Sequence, residues 1–241
     1  MVRAPSLALL VLSLLLLPLL LGACGRADTP AASAPSTLPA PLPPVAPAAG
    51  DAGRPLVIFL GDSLTAGLGL DEPQAYPALL GKRLARAGDP VRVLNAGVSG
   101  DTTAGGLRRL PWLLSQHPAV LVVGLGANDG LRGTPIEEIE GNLRQIVRRS
   151  RAAGARVLLL GMRIPPNYGP DFTGRFAAIY PHLAREEGVP LVPFLLEGVG
   201  GDPALNQADG MHPTAQGDQR LADTVLPYLR RVVESLPSAT H

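Results

Sequence analysis

The stretch Leu56-Val57-Ile58-Phe59-Leu60-Gly61-Asp62-Ser63 decides the architecture. Its apolar run does not alternate, and it ends abruptly in a glycine, an acid and a serine. Such a run marks a strand covered on both faces, as in a parallel sheet. Working outward, Val91–Asn95, Val120–Leu125, Val157–Gly161 and Leu191–Pro193 read as further strands. Helical periods lie between them. Tyr76, Leu79, Leu80, Leu84 and Ala87 share one face, as do Ile136, Ile139, Leu143, Ile146 and Val147, and later Leu221, Val225, Leu229, Val232 and Val233. Thr103 to Ser115 and Phe172 to Glu187 carry weaker helical patterns, and Gly154 and Gly188 stand where glycines close helices. Strands alternating with helices predict an open α/β sheet with right-handed crossovers and helices on both faces. In such sheets the site lies at the carboxyl ends of the strands, where Ser63, Gly97, Asn128 and the Arg163 loop all fall.

The remainder of the chain frames this domain. Its 241 residues suit one domain plus accessory segments. With 46% hydrophobic and 17% charged residues, a packed core is expected. A net charge of +1 offers nothing to draw in nucleic acid. Residues 1–24 read as a signal peptide: Arg3 supplies the positive start, Leu7 to Leu21 the apolar region. That segment ends in Leu21-Gly22-Ala23-Cys24, which resembles a bacterial lipobox and predicts lipidation of Cys24. Cys24 is the only cysteine, so no internal disulfide is expected. Residues 25–54 are rich in Ala, Pro and Ser and read as an extended tether. The folded domain is expected over residues 55–241, and the lipobox resemblance predicts that it is held on the periplasmic face of a bacterial cell envelope as a membrane-anchored lipoprotein.

A serine hydroxyl needs a base to become a nucleophile. Of the four histidines, His117 precedes a proline, His182 falls in a helical pattern and His241 ends the chain. His212 alone has an acid three residues before it, in Asp209-Gly210-Met211-His212. Asp209 can accept from one ring nitrogen and leave the other facing Ser63. Taken singly, a serine after a strand is an ordinary helix cap, and Asp-Gly is an ordinary turn. Brought to one rim, they are the components of a hydrolase. Asp62, adjacent to the serine, reads as support for the turn. Donors for an oxyanion are sought after the second and third strands, at Gly97 and at the Asn128 amide. No pattern of metal ligands or phosphate-binding glycines is present, so no metal or cofactor is expected.

Gly61-Asp62-Ser63-Leu64, Gly97, Gly126-Ala127-Asn128-Asp129 and Asp209-Gly210-Met211-His212 resemble the signature blocks of the SGNH (GDSL) hydrolase family, over about Leu56 to Leu229. The likeness runs to its periplasmic thioesterase I, lysophospholipase and arylesterase subgroup. The resemblance implies a three-layer α/β/α sandwich with a mostly parallel, flavodoxin-like sheet. It also implies Ser63 as nucleophile, His212 as base, Asp209 as its orienter, and an oxyanion hole of Ser63 N–H, Gly97 N–H and Asn128. The expected activity is that of a serine esterase acting on small acyl esters, thioesters or lysophospholipids. Ile164 and Tyr168, in the Met162–Pro170 segment, are expected to flank the acyl chain. The alternatives are a carbohydrate O-acetylesterase of the envelope and a non-enzymatic envelope binding protein.

Overall fold

The computed structural model describes residues 53–237. The leader, Cys24 and nearly all of the tether lie outside them. Five strands form one all-parallel sheet: β1 (Leu56–Gly61), β2 (Arg92–Gly97), β3 (Val120–Gly124), β4 (Arg156–Leu160) and β5 (Leu191–Val192). Their order is β2-β1-β3-β4-β5. The chain therefore changes direction across the sheet between β1 and β3, where doubly wound sheets open a crevice at the strand ends.

The helices are α1 (Ser63–Ala66), α2 (Tyr76–Arg86), α3 (Thr103–Leu114), α4 (Ala127–Leu131), α5 (Ile136–Ala152), α6 (Pro170–Glu187) and α7 (Ala215–Glu234). Packing of α2 on α7, and of α3 on α5 on α6, completes the sandwich expected from the sequence. Strand β1 is buried along its whole length, as its uninterrupted apolar run predicts. Phe59 meets Tyr76 edge-on, with centroids 5.8 Å apart, and so joins β1 to α2. The two weaker helical patterns form complete helices. Their prolines, Pro111 and Pro181, are tolerated within them because packing against neighbours outweighs local preference.

Boundaries differ from the sequence reading where polar residues continue a strand. Strand β2 runs on to Gly97 because Asn95, Ala96 and Gly97 pair with Phe59, Leu60 and Gly61 of β1. Gly61 is thus flanked by Gly97 on one side and Gly124 on the other. A Cβ on Gly61 would lie 1.9 Å from Thr65 Oγ1, and one on Gly97 would lie 2.2 Å from the Ala66 nitrogen. These two glycines let α1 lie directly on the strand ends.

Candidate active site

Helix α1 begins at Ser63, one residue beyond the bend at Asp62. Asp62 caps it, its Oδ1 accepting from Leu64 N–H at 3.0 Å. The same carboxylate accepts from the Asn128 side-chain amide at 3.3 Å through Oδ2. Burial raises the Asp62 carboxyl to about 6, against the lowering effect of its hydrogen bonds. Asp62 thus serves both the turn and Asn128.

His212 arrives from the far end of the domain. Its loop closes through an antiparallel bridge between Asn206 and Pro213 and through Gln207 N–H donating to His212 O at 2.7 Å. The Gln207 side chain also donates to Leu68 O and Pro213 O, at 2.7 and 2.9 Å, tying the loop to the segment after α1. Gly210, at φ +71°, takes the left-handed turn that brings Asp209 back toward His212. From below, Asp218 of α7 accepts from Tyr76 N–H at 2.8 Å, and burial pushes its carboxyl up to about 7.

These elements bring three side chains into series. His212 Nε2 lies 2.9 Å from Ser63 Oγ, and His212 Nδ1 lies 2.6 Å from Asp209 Oδ2. Asp209 Oδ1 accepts from the backbone N–H of Met211 at 2.9 Å and of His212 at 3.0 Å. The His212 and Met211 N–H groups, then the imidazole, hold the Asp209 carboxyl well below the usual carboxylate range. An ionised Asp209 only accepts, so Nδ1 carries the ring proton and Nε2 is left to accept from Ser63.

Gly97 does not take the place expected of it. Its N–H donates to Asn95 Oδ1 at 2.9 Å, and its Cα packs against α1 rather than facing the cavity. The strand simply continues two residues past the apolar run. The turn that faces the cavity comes later, at Ser99 and Gly100. Gly100 has φ +77°, and its carbonyl is held by Arg132 at 3.0 Å. Neither Gly100 N–H nor Ser63 N–H donates to any of the described residues. Asn128, in the first turn of α4, is fixed through its neighbour: buried Asp129 accepts from Thr103 N–H at 2.8 Å and Thr103 Oγ1 at 2.6 Å.

Arg109 is a residue that sequence reasoning missed. Its guanidinium donates to Ala96 O at 2.5 Å and Gly61 O at 2.9 Å, and pairs with Asp101 at 2.8 Å. One side chain therefore binds the ends of β1 and β2 and the Gly100 turn together. Its position inside α3 carries no sequence signal, because its partners come from three separate segments.

A cavity of about 560 Å³ opens over Ser63 and His212, within the range of small-molecule sites. Its wall is mainly apolar, with Leu64, Leu68, Ile164, Phe194, Leu196 and Met211 among its residues. Ile164 stands in this wall. Tyr168 does not: its hydroxyl donates to Leu131 O at 2.9 Å and pins the segment before α6 to α4. Among the described residues, Glu140, His182 and Glu186 come close enough together to suggest a cation site. The guanidinium of Arg144 already bridges both glutamates there, at 2.6 and 2.8 Å, and none of the three lines the cavity.

An α/β sheet with a serine, a histidine and a carboxylate hydrogen-bonded in series at its strand ends is the architecture of a serine hydrolase. The chain belongs to the GDSL-like Lipase/Acylhydrolase family, which matches residues 59–220. It is 50% identical to Esterase TesA of Pseudomonas aeruginosa over 175 residues, covering 72% of this chain and 87% of that protein. It is 44% identical to the Thioesterase 1/protease 1/lysophospholipase L1 of Escherichia coli K12 over 178 residues, covering 73% and 84%. A crystal structure of TesA, 49% identical, superposes with a TM-score of 0.71 over 73% of this chain and 99% of that one. The chain is a carboxylic ester hydrolase.

Proposed function

We propose that the protein hydrolyses acyl esters and thioesters through a covalent intermediate on Ser63, with His212 as general base and acid and Asp209 as its orienter. The observation that carries this reading is the unbroken series Ser63–His212–Asp209, at 2.9 and 2.6 Å, beneath a largely apolar cavity. His212 Nε2 takes the hydroxyl proton as Ser63 Oγ bonds to the carbonyl carbon. The negative oxygen so formed is met by Ser63 N–H, Gly100 N–H and the Asn128 amide. Collapse expels the alcohol or thiol, which takes the proton from His212 and leaves the acyl group on Ser63. Water, deprotonated by His212, then attacks that acyl group. A second collapse returns the proton to Ser63 and releases the acid.

The apolar wall supports acyl chains longer than acetyl, since each buried methylene contributes about 0.8 kcal/mol. A carbohydrate O-acetylesterase would be better served by a polar wall, and a binding protein has no use for a histidine aligned on a serine. An alkyl phosphonate fluoride is expected to inactivate the enzyme with one equivalent bound, and peptide mapping should place the adduct on Ser63. An adduct elsewhere, or none, would remove the nucleophile assignment.

We also infer from the sequence that Cys24 carries lipid and that the domain works at the bacterial envelope. A diacyl anchor holds far more firmly than a single chain, and the Ala/Pro-rich tether gives the domain reach. Mass analysis of the mature N-terminus should show a lipid-modified Cys24. An unmodified cysteine, or cleavage at another site, refutes the anchor.

A further inference from the structure

A net charge of +1 conceals an uneven distribution. In a parallel sheet with crossover helices, the strands begin where the helices end. At that end of the domain, opposite the cavity, the last turns of α2, α5, α6 and α7 carry the exposed Arg86, Arg149 and Arg151, Arg185, and Arg231. Arg92 and Arg156 open β2 and β4 there. A hollow lined by Arg151, Arg156, Gly188 and Ser235 shows the ends of α5, α6 and α7 meeting at the start of β4. The acids nearby are already engaged: Glu187 with Arg148 and Arg151, Glu186 with Arg144 and Arg148, and Asp89 and Glu234 with Arg230. Among the described residues, no carboxylate lies within ion-pair distance of Arg86, Arg92, Arg156, Arg185 or Arg231. Cations in a last turn favour the helix dipole, but that accounts for neither Arg92 nor Arg156, which stand on strands. The other end has the opposite bias, with Glu137, Glu138 and Asp171 in the first turns of α5 and α6. Residues 25–54 join the domain at the arginine end, through exposed Arg54 and the start of β1 at Leu56.

We propose that this arginine face seats the domain on a bilayer containing anionic phospholipid, with the opening over Ser63 turned away from the membrane. The choice of a bilayer rests on the reading of Cys24 as the lipidated residue, which puts a membrane at the far end of the tether. Residues 25–54 span roughly 90 Å when extended, far enough to let the domain turn in any direction. The tether therefore sets distance, and the arginines set orientation. Guanidinium groups suit such a surface, because they pair with phosphate through two N–H bonds and are more weakly hydrated than an ammonium. The acids at the opposite end are repelled by the same lipid charge. Seated this way, the enzyme draws acyl compounds from solution and not from the bilayer beneath it.

The test uses the chain from residue 25 onward, with no leader and no lipid; the crystallised TesA chain, 99% of which is matched by this domain, shows that such a fold forms without them. Vesicles of ether-linked lipids offer the enzyme no ester, and are made of phosphatidylcholine alone or with about 30% phosphatidylglycerol. The protein should sediment with the mixed vesicles and not with the neutral ones, and raising salt from about 20 to about 300 mM should release it. Replacing Arg86, Arg156 and Arg185 together by Gln should weaken partition about 100-fold, roughly fivefold for each cation removed. Replacing Arg108 and Arg220, exposed cations midway along α3 and near the start of α7, should change it by about twofold or less. Vesicle-bound enzyme should keep its kcat/KM on a soluble octanoyl ester, an arm that also rests on the cavity being the substrate site. No binding to the mixed vesicles overturns the proposal, as does an equal loss in the two sets of variants. Duplex DNA bound as tightly as the vesicles overturns it too, by giving the face to nucleic acid. A fall in kcat/KM on binding overturns the orientation. If the triple variant does not fold, the single variants replace it, and no loss in any of them overturns the proposal. Failure of the other readings looks different: an unmodified Cys24 in the mature protein for the anchor, and vesicle binding without any ester hydrolysis for the nucleophile.

Discussion

Ser63→Ala and His212→Ala are each expected to lower kcat by about 10⁴-fold or more, with thermal midpoints within a few degrees of wild type. The reason lies in how little else either side chain supports. Ser63 Oγ touches His212 Nε2 at 2.9 Å, and α1 keeps its cap from Asp62 whether or not the hydroxyl is present. The His212 loop keeps its backbone bond from Gln207 and its bridge to Pro213 when the imidazole is removed. Nucleophile and base act as one unit, so the double variant should be scarcely worse than either single one. Asp209→Asn should also be slow, because an amide opposite Nδ1 favours the tautomer that cannot accept from Ser63. The measurements are kcat on an octanoyl ester and the thermal midpoint. A folded Ser63→Ala enzyme with wild-type kcat would end the assignment.

The second large effect is expected at Asn128. Asn128→Ala should reduce kcat by about 10²–10³-fold with little change in KM, the cost of removing one oxyanion donor. The amide is well prepared for that task. One of its N–H bonds is drawn toward Asp62 at 3.3 Å, which sets the plane of the group, while α4 is anchored through Asp129 to Thr103. Preorganised donors stabilise the transition state without having to reorient during the reaction. Steady-state kinetics distinguish the roles: a rise in KM at constant kcat would make Asn128 a ground-state contact.

Much of this was legible in the sequence. The apolar run before Ser63 announced a buried strand, and Val120–Leu125 and Val157–Gly161 are runs of the same kind, whereas the second and fifth strands followed from shorter or interrupted ones. His212 was legible because its acid sits three residues away and both lie in one small loop. Legibility failed where partners are distant in sequence. The run that marks β2 ends at Asn95, yet pairing with β1 carries the strand to Gly97, and so the free backbone N–H falls to Gly100. Tyr168 offered an aromatic ring, but nothing in its neighbours revealed that its hydroxyl would reach Leu131 O. The wall formed by Phe194, Leu196, Gly200 and Gly201 has neither helical nor strand period, so only the fold brings it over the serine.

The clamp made by Arg109 divides the molecule's labour. The nucleophile's turn and the Gly100 turn, which must hold their alignment to a fraction of an ångström, hang from strand ends that one guanidinium locks together, over glycines that admit no larger residue. One side of the wall that surrounds the substrate, from Arg163 to Pro166 and from Phe194 to Gly201, hangs from segments outside that clamp. Diversification can therefore act on the second part without disturbing the first. A lineage built on this scaffold is free to exchange one diet of acyl compounds for another through substitutions in those two segments, while the clamped turns are inherited intact.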